Sequence, residues 1–378
     1  MHHHSPAVSR RTVIGTIGAT AAAVALTPLA SAAAAPSSGT APATGQRITE
    51  VPRTRARSAT GAAATAVRTA FPIGYVGVSW TGSQRGAEIR LHGTDGTPGA
   101  WRQLVTGCAA GPDGVATDPA RTATALIAAA GATGYDLRLP DGATDVRSAA
   151  IDTRQGPVRR VAVAATAPGT FGGIEYLTRA AWGADESKRF KNGAENTPPA
   201  FYPLQTLTVH HSAGVNADPD PAATVRAIYD YHAITLDWGD IGYHFLIDEA
   251  GRIYEGRYSG TDPLPAHDST GKLVTAFHSA GYNSGNLGIC LLGTLTGQQA
   301  TAAARQSLTA LLAELSRRHN LAPEADLTYV NPINGVTKAV KTISGHRDWL
   351  ATDCPGAQMY DALPALRSDV ARIVSEAG

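Results

Sequence analysis

Two histidines and one cysteine stand where this chain could assemble a zinc site. His210 ends a predicted strand, His346 follows another, and Cys354 comes eight residues later, within reach of a loop that folds back. Two neutral imidazoles and one thiolate suit Zn²⁺, and three protein ligands leave a fourth position for water, as in catalytic sites. Spacing alone does not bring His210 to His346, and a single histidine is more often solvated or hydrogen-bonded.

The segment around these residues, from about residue 174 to residue 378, mixes helical and strand patterns. Apolar residues at intervals of three and four mark the helices, and short apolar runs mark the strands. An α/β fold, a mixed β-sheet flanked by helices, is therefore predicted. The predicted strands are Gln205–His211, Tyr243–Asp248, Arg252–Glu255, Leu287–Leu292 and Thr342–Ser344, and the predicted helices are Pro221–Thr235, Thr301–His319 and Pro364–Ala377.

Five stretches of this segment form an ordered set of motifs: Thr178–Gly183, Val209–Gly214, Asp240–Phe245, Gly281–Asn283 leading into Leu287–Cys290, and Gly345–Asp348 with Cys354–Gly356. In these motifs and their order the segment resembles the type-2 N-acetylmuramoyl-L-alanine amidases and peptidoglycan recognition proteins, over almost all of Tyr176–Gly378. Five ordered matches are far more specific than any one motif. The resemblance implies an amidase fold, a Zn²⁺ cofactor and peptidoglycan or muropeptides as the partner.

The same resemblance implies roles for single residues. The zinc ligands would be His210, His346 and Cys354, and Tyr243 matches the family's catalytic tyrosine. The bacteriophage enzymes have a lysine two residues before the cysteine ligand. This chain has Thr352 there, and most peptidoglycan recognition proteins also have a threonine. Thr352 is included among the catalytic candidates. The implied reaction is hydrolysis of the amide between the lactyl group of N-acetylmuramic acid and L-alanine. Zinc would activate water, and Tyr243 would stabilise charge on the carbonyl oxygen.

Two further residues match the family's substrate groove. The resemblance implies that His278 and Asn283 contact substrate, with a structural role for His278 and a turn role for Asn283 as alternatives. His211 and His244 each adjoin a candidate site residue. Because successive side chains of a strand point to opposite faces, both are predicted to face away from the site.

The sequence leaves two other functions open. A non-catalytic peptidoglycan-binding recognition protein would share the same groove. Within the family that the chain resembles, however, members that only bind usually lack a zinc ligand, whereas this chain keeps all three and Tyr243. A wall adhesin would act through the N-terminal part, which shows no sugar-binding pattern. The sequence therefore favours a zinc amidase.

Residues 1–35 have the pattern of a bacterial export signal. Arg10 and Arg11 precede an Ala-rich apolar run, and Ala30-Ser31-Ala32 forms a cleavage box. Paired arginines resemble the twin-arginine signals of pre-folded proteins. Cleavage would give a secreted protein, extracellular or in the cell wall, with no membrane association afterwards. An uncleaved anchor is the alternative.

The region between the signal and the amidase-like segment divides into three parts. Residues 36–70 are rich in Ala, Thr, Pro, Ser and Arg, which predicts a flexible linker. Residues 71–165 alternate short apolar runs with Gly, Pro and Asp turns, which predicts a smaller all-β, sandwich-like domain. Residues 166–173 are predicted to be a second linker before the zinc amidase domain, residues 174–378.

Composition restricts the classes of partner. The 378 residues include 32 Lys and Arg against 31 Asp and Glu, a net charge of +1, which argues against nucleic-acid binding. The 40 glycines and 23 prolines favour loops and β-structure over long helical bundles. Cys108, Cys290 and Cys354 cannot all pair within one chain. Cys290 lies in an apolar run and is predicted to be an inert buried thiol.

Overall fold

The computed structural model of the chain describes residues 46–83, 85–104, 111–113, 122–164, 169–261 and 264–376. The predicted export signal, the first part of the predicted linker and Cys108 lie outside these ranges. Within them, no helix is both long enough and apolar enough to cross a bilayer.

The N-terminal unit consists, in its described part, of the strands β1 Gln46–Pro52, β2 Arg55–Thr60, β3 Ala66–Thr81, β4 Glu88–His92, β5 Pro98–Gln103, β6 Thr122–Arg138, β7 Thr144–Asp152 and β8 Val158–Ala164. Six of them form an antiparallel sheet in the order β2-β7-β3-β6-β4-β5, and β1 pairs with β8. One sheet face packs its own core around Val76, Val78 and Trp80. The described strands form one sheet and a ribbon, so the predicted sandwich-like fold is not confirmed.

Residues 46–70, predicted to belong to a flexible linker, instead form strands and a short 3₁₀ helix, Gly61–Thr65, and the prediction is wrong for them. Strand β1 pairs along its whole length with β8, and β2 pairs with β7. Arg55 Nε donates to Asp152 Oδ2 over 2.9 Å. An outer strand is held largely by backbone hydrogen bonds and cross-strand pairs. A composition poor in large apolar residues therefore does not prevent pairing.

The C-terminal unit is built from helices α1 Arg179–Trp182, α2 Pro221–Asp230, α3 Ala302–Arg318, α4 Ala357–Asp361 and α5 Leu363–Glu376, and from strands β9 Gly169–Phe171, β10 Ile174–Tyr176, β11 Phe190–Lys191, β12 Ala194–Glu195, β13 Phe201–Tyr202, β14 Thr206–His211, β15 Phe245–Ile247, β16 Ile253–Glu255, β17 Leu273–Val274, β18 Asn286–Leu291, β19 Asp326–Val330, β20 Thr337–Lys341 and β21 Ile343–Gly345. These helices and strands lie within residues 169–261 and 264–376, the part of this unit that the structure describes.

A five-stranded sheet, in the order β16-β15-β18-β14-β21, forms the centre of this unit. Strands β14, β15, β18 and β21 are parallel and β16 is antiparallel. Helices α3 and α5 cover one face through residues such as Leu312 and Leu366, and α2 covers the other through Val225 and Ile228. The predicted mixed α/β fold is confirmed. The predicted helix Pro221–Thr235 changes at Tyr231 to a wider π-helical turn that ends at Thr235.

The second predicted linker is also part of the fold where it is described. Strand β9 pairs with β10, and Phe171 is buried in the core of the C-terminal unit. Its ring stacks on His267 with centroids 6.1 Å apart. For residues 169–173 the linker prediction is therefore wrong, because a single buried aromatic residue ties this Gly-rich segment to the core.

The second face of the N-terminal sheet packs on α2 and the turn that follows it. Tyr75 and Ile151 form one cluster with Ala227 and Tyr231. The Tyr231 hydroxyl donates to the Val78 carbonyl over 2.6 Å. Gly77 makes the approach possible, since a Cβ at this position would lie 2.3 Å from the Tyr231 ring. The two units therefore share a buried interface.

Because Phe171 is buried, the stability of an isolated C-terminal unit should depend on whether the fragment includes this residue. A fragment that begins at Ile174 lacks Phe171, whereas one that begins at Gly169 keeps it. Losing a buried phenylalanine side chain costs about 3–5 kcal/mol. We expect the free energy of unfolding of the shorter fragment to be smaller by that amount, so that it unfolds at a lower urea concentration. Equal urea midpoints for fragments 169–378 and 174–378 would contradict this.

Candidate metal centre

Three elements bring the candidate ligands together. His210 lies near the carboxyl end of β14, and His346 directly follows β21, the parallel neighbour of β14. Because parallel strands end at the same edge of a sheet, the two rings meet, with centroids 4.6 Å apart. Cys354 lies in the loop before α4, and its Sγ accepts from the backbone N–H of His211 over 3.4 Å.

The geometry of His210, His346 and Cys354 fits a metal ion. One potential ligand atom from each lies within 4.8 Å of the others, and all three residues are buried. Cys354 Sγ is 3.7 Å from His210 Nδ1. Zinc bond lengths of about 2.3 Å to sulfur and 2.0–2.1 Å to nitrogen place two tetrahedral ligand atoms about 3.5 Å apart. The observed separation is close to that value.

His346 gives an independent reason to place a cation here. Both of its ring nitrogens are buried, and neither has a hydrogen-bond partner among the residues that the structure describes. A buried polar atom without a partner costs about 1–3 kcal/mol. A metal ion bound to one nitrogen would remove part of that cost. The sequence prediction therefore selects three residues that the fold does bring together.

Tyr243 lies beside the cluster, two residues before β15. Its ring centroid is 5.3 Å from that of His210 and 5.6 Å from that of His232. The residue is 7% exposed, so its ring is held in the core while part of it reaches the surface. The backbone N–H of Gly242 donates to His232 Nδ1 over 3.0 Å, which fixes the turn that carries Tyr243.

Thr352 contacts the ligand loop. Its hydroxyl accepts a hydrogen bond from the backbone N–H of Cys354 over 3.2 Å. The contact holds the turn that presents the thiol to the two histidines. This observation gives Thr352 a part in shaping the ligand loop, and its direct role in the reaction stays a prediction.

His278 and Asn283 are both fully buried, so neither side chain is open to solvent. His278 is wedged between His210 and β18. The Asn283 side-chain oxygen accepts from the backbone N–H groups of His278 and Ser279 over 2.9 and 2.8 Å. Its Nδ2 donates to the Gly111 carbonyl over 2.7 Å. The predicted substrate contacts find no support in this arrangement, because both side chains are already used in internal hydrogen bonds.

His244 faces away from the candidate metal centre, as strand alternation predicts, whereas His211 also lines the cleft beside Tyr243. His211 Nδ1 accepts from the backbone N–H of Leu295 over 3.1 Å. His244 accepts from the Gly288 N–H and donates to the Val274 carbonyl. Burial lowers the pKa of His244 to about 3, so its ring stays neutral. Burial, with the neighbouring histidines, also lowers the pKa of His278 well below its ordinary value.

The N-terminal sheet forms one wall of the cleft beside Tyr243. This cleft, of about 40 Å³, is lined by Thr124–Leu126 of β6 and, on the C-terminal unit, by His211, Ser212, Ile228, Tyr231, His232, Trp238 and Tyr243. Sequence reasoning missed this contribution. The pattern of residues 71–165 predicts β-structure but carries no signal of which distant surface a strand contacts.

Comparisons with known proteins find similarity over the segment that contains His210, His346 and Cys354. Residues 200–357 match the N-acetylmuramoyl-L-alanine amidase family. The Homo sapiens protein named N-acetylmuramoyl-L-alanine amidase is 31% identical over 166 residues, which are 43% of this chain and 24% of that protein. Peptidoglycan-recognition protein SC2 of Drosophila melanogaster is 26% identical over 193 residues, 50% of this chain and 85% of that protein.

A solved structure of Drosophila PGRP-LB is 25% identical, with a TM-score of 0.37 over 50% of this chain and 92% of that one. The chain spans about a quarter of the length of the human relative. The match to the family model covers less than half of the chain. The family's relatives include both proteins named amidases and proteins named for peptidoglycan recognition.

Proposed function

We propose that this chain is a secreted, zinc-dependent N-acetylmuramoyl-L-alanine amidase. Its substrate is peptidoglycan or a muropeptide, in which it hydrolyses the amide between the lactyl group of N-acetylmuramic acid and L-alanine. The buried cluster of His210, His346 and Cys354 carries the proposal, because it offers a complete three-ligand set with two orphaned imidazole nitrogens. Export through the twin-arginine signal rests on the sequence alone.

The ligands, Tyr243 and Thr352 would each have a separate role in this reaction. His210, His346 and Cys354 would hold Zn²⁺, which supplies Lewis-acid activation of water and of the amide carbonyl when bound. The Tyr243 hydroxyl would donate to the carbonyl oxygen as negative charge develops on it. Thr352 keeps the Cys354 loop in place through its hydrogen bond to the Cys354 N–H. The walls of the cleft restrict access of bulk water.

A peptidoglycan-binding protein without catalysis is the second candidate. The similarity to recognition proteins over half of the chain favours it. The retained ligand set and Tyr243 favour the enzyme. The two candidates differ in whether bound muropeptide is cleaved.

Mass spectrometry of purified peptidoglycan after incubation with the zinc-loaded protein tests the proposal. We expect free stem peptides that begin with the amino group of L-alanine, and none when zinc is removed by a chelator. Re-addition of zinc should restore them. Muropeptide that is bound but stays intact would replace the amidase with the recognition protein.

A further inference from the structure

A chain of hydrogen bonds leads from the candidate metal centre into the core through a second histidine. His210 Nε2 lies 2.9 Å from His278 Nδ1, and the two rings are nearly perpendicular, at 85°. His278 Nε2 lies 2.9 Å from the backbone carbonyl oxygen of Asn286, at the start of β18. His210 Nδ1, the other nitrogen of the same ring, faces Cys354 Sγ.

The Asn286 carbonyl oxygen, the last group in this series of hydrogen bonds, determines which ring nitrogens carry protons. A carbonyl oxygen only accepts hydrogen bonds, so His278 Nε2 must carry the proton that reaches Asn286. His278 is fully buried, and a neutral imidazole with a protonated Nε2 has a lone pair at Nδ1. The Ser279 hydroxyl, 3.2 Å from that nitrogen, is compatible with an acceptor there. His210 Nε2 must then be the donor, which leaves the lone pair of His210 on Nδ1.

We infer that His278 is a positioning residue that holds His210 in its Nε2-protonated form and so presents Nδ1 to the metal. The inference rests on the zinc site proposed above. Partners of this kind fix the tautomer and orientation of a ligating imidazole and increase its basicity. The acceptor here is a second imidazole instead of a carboxylate, so the partner brings no negative charge to a buried site. His278 acts on the metal only through His210.

The surroundings hold His278 firmly enough for this role. The Asn283 side-chain oxygen accepts a hydrogen bond from the backbone N–H of His278 over 2.9 Å. Its ring lies against Gly288 of β18, where an added Cβ would be 2.5 Å from His278 Cγ. The ring therefore fills space that only a glycine leaves free. These contacts fix both the position and the rotation of the ring that faces His210.

The nitrogen that binds the metal can be read in the intact protein with ¹¹³Cd²⁺ in place of zinc. A metal on Nδ1 is three bonds from Hε1 and four from Hδ2, whereas a metal on Nε2 is three bonds from both protons. We expect His210 to show a ¹H–¹¹³Cd correlation through Hε1 alone. A comparable correlation through its Hδ2 would place the metal on Nε2 and overturn the inference. This measurement needs no variant of His278.

Two substitutions test the role of the His278 acceptor. His278→Asn places a side-chain oxygen near the former Nδ1, whereas His278→Leu offers no acceptor. Loss of a partner behind a metal ligand typically costs about 10–100-fold in metal affinity. We expect that loss for His278→Leu, measured by competition with a chromophoric chelator, and recovery of most of the affinity in His278→Asn. His244→Leu is the matched control.

His244 suits this purpose because it is equally buried, and its ring centroid is 5.5 Å from that of His278. Its two ring nitrogens form hydrogen bonds with Gly288 and Val274, not with His210. We expect His244→Leu to lower thermal stability and leave zinc affinity within a few-fold of wild type. Equal losses of zinc affinity in His244→Leu and His278→Leu would reduce His278 to a packing role. Failure of the wild-type protein to bind zinc would instead overturn the proposed function.

Discussion

Replacing Cys354 by alanine is expected to abolish or sharply weaken zinc retention. The thiolate is one of three proposed protein ligands and the only soft one, and its Sγ stands 3.7 Å from His210 Nδ1. Removing a ligand itself should cost more than removing a partner behind one, which costs about 10–100-fold in affinity. Elemental analysis after dialysis should show about one zinc per wild-type chain and little in Cys354→Ala, with loss of amidase activity.

Cys290 provides the matched control. It is as buried as Cys354 and lies on β18, where it pairs in register with His210 of β14. Its side chain belongs to the apolar cluster with Val225 and Leu246, on the α2 face of the sheet. Cys290→Ala should therefore reduce stability modestly and keep zinc at wild-type content. Full zinc in Cys354→Ala would refute the ligand set.

Acid should release the same zinc. The proposed ligands bind as a thiolate and two neutral imidazoles, so protons compete with the metal and affinity falls as the pH falls. Cys354→Ala has one fewer ligand proton to release on binding. Its residual affinity should therefore depend less steeply on pH than that of the wild type. Titrations with zinc at several pH values measure both slopes.

The three candidate ligands stand at local signals in the sequence, but those signals alone do not assemble them into one cluster. His210 ends an apolar strand, and His346 and Cys354 share one short loop after another strand. Parallel strands that end at one edge of a sheet then bring the loops together. The strand order that makes β14 and β21 neighbours has no local signal. That His210 and His346 belong to one ligand set was implied by the match of ordered motifs to a known family.

The environment of the cluster could not be predicted, because it depends on contacts between residues far apart in sequence. His278 matches a groove position, but only the fold shows that its ring lies behind His210 and that Asn283 holds its backbone. Similarly, Tyr231 fits the core pattern of a helix, and nothing in that pattern shows that its hydroxyl reaches Val78 of another unit. Strands β1 and β2 were missed because small and charged residues can form outer strands.

Replacing Tyr243 by phenylalanine is expected to reduce kcat by about 10²–10³-fold, equivalent to about 2.7–4 kcal/mol, the usual effect of losing one donor to a developing oxyanion. The substitution keeps the ring, which lies 5.3 Å from the His210 ring and packs in the cluster with Ile241 and Tyr254. Zinc content and thermal stability should therefore change little. Affinity for intact muropeptide should also survive, because a donor that acts only as charge develops on the carbonyl oxygen adds little to ground-state binding.

Tyr254→Phe separates the loss of this donor from the loss of any buried hydroxyl. Tyr254 lies in the same apolar cluster, and its hydroxyl donates to Asp248 over 2.8 Å, away from the ligand set. Its removal should lower stability and leave turnover unchanged. If Tyr243→Phe retains wild-type kcat on soluble muropeptide, Tyr243 has no part in the reaction and only packs beside the metal centre. If Tyr243→Phe loses turnover but keeps zinc and muropeptide binding, the hydroxyl acts on the transition state, since a donor that served binding alone would raise KM and leave kcat intact.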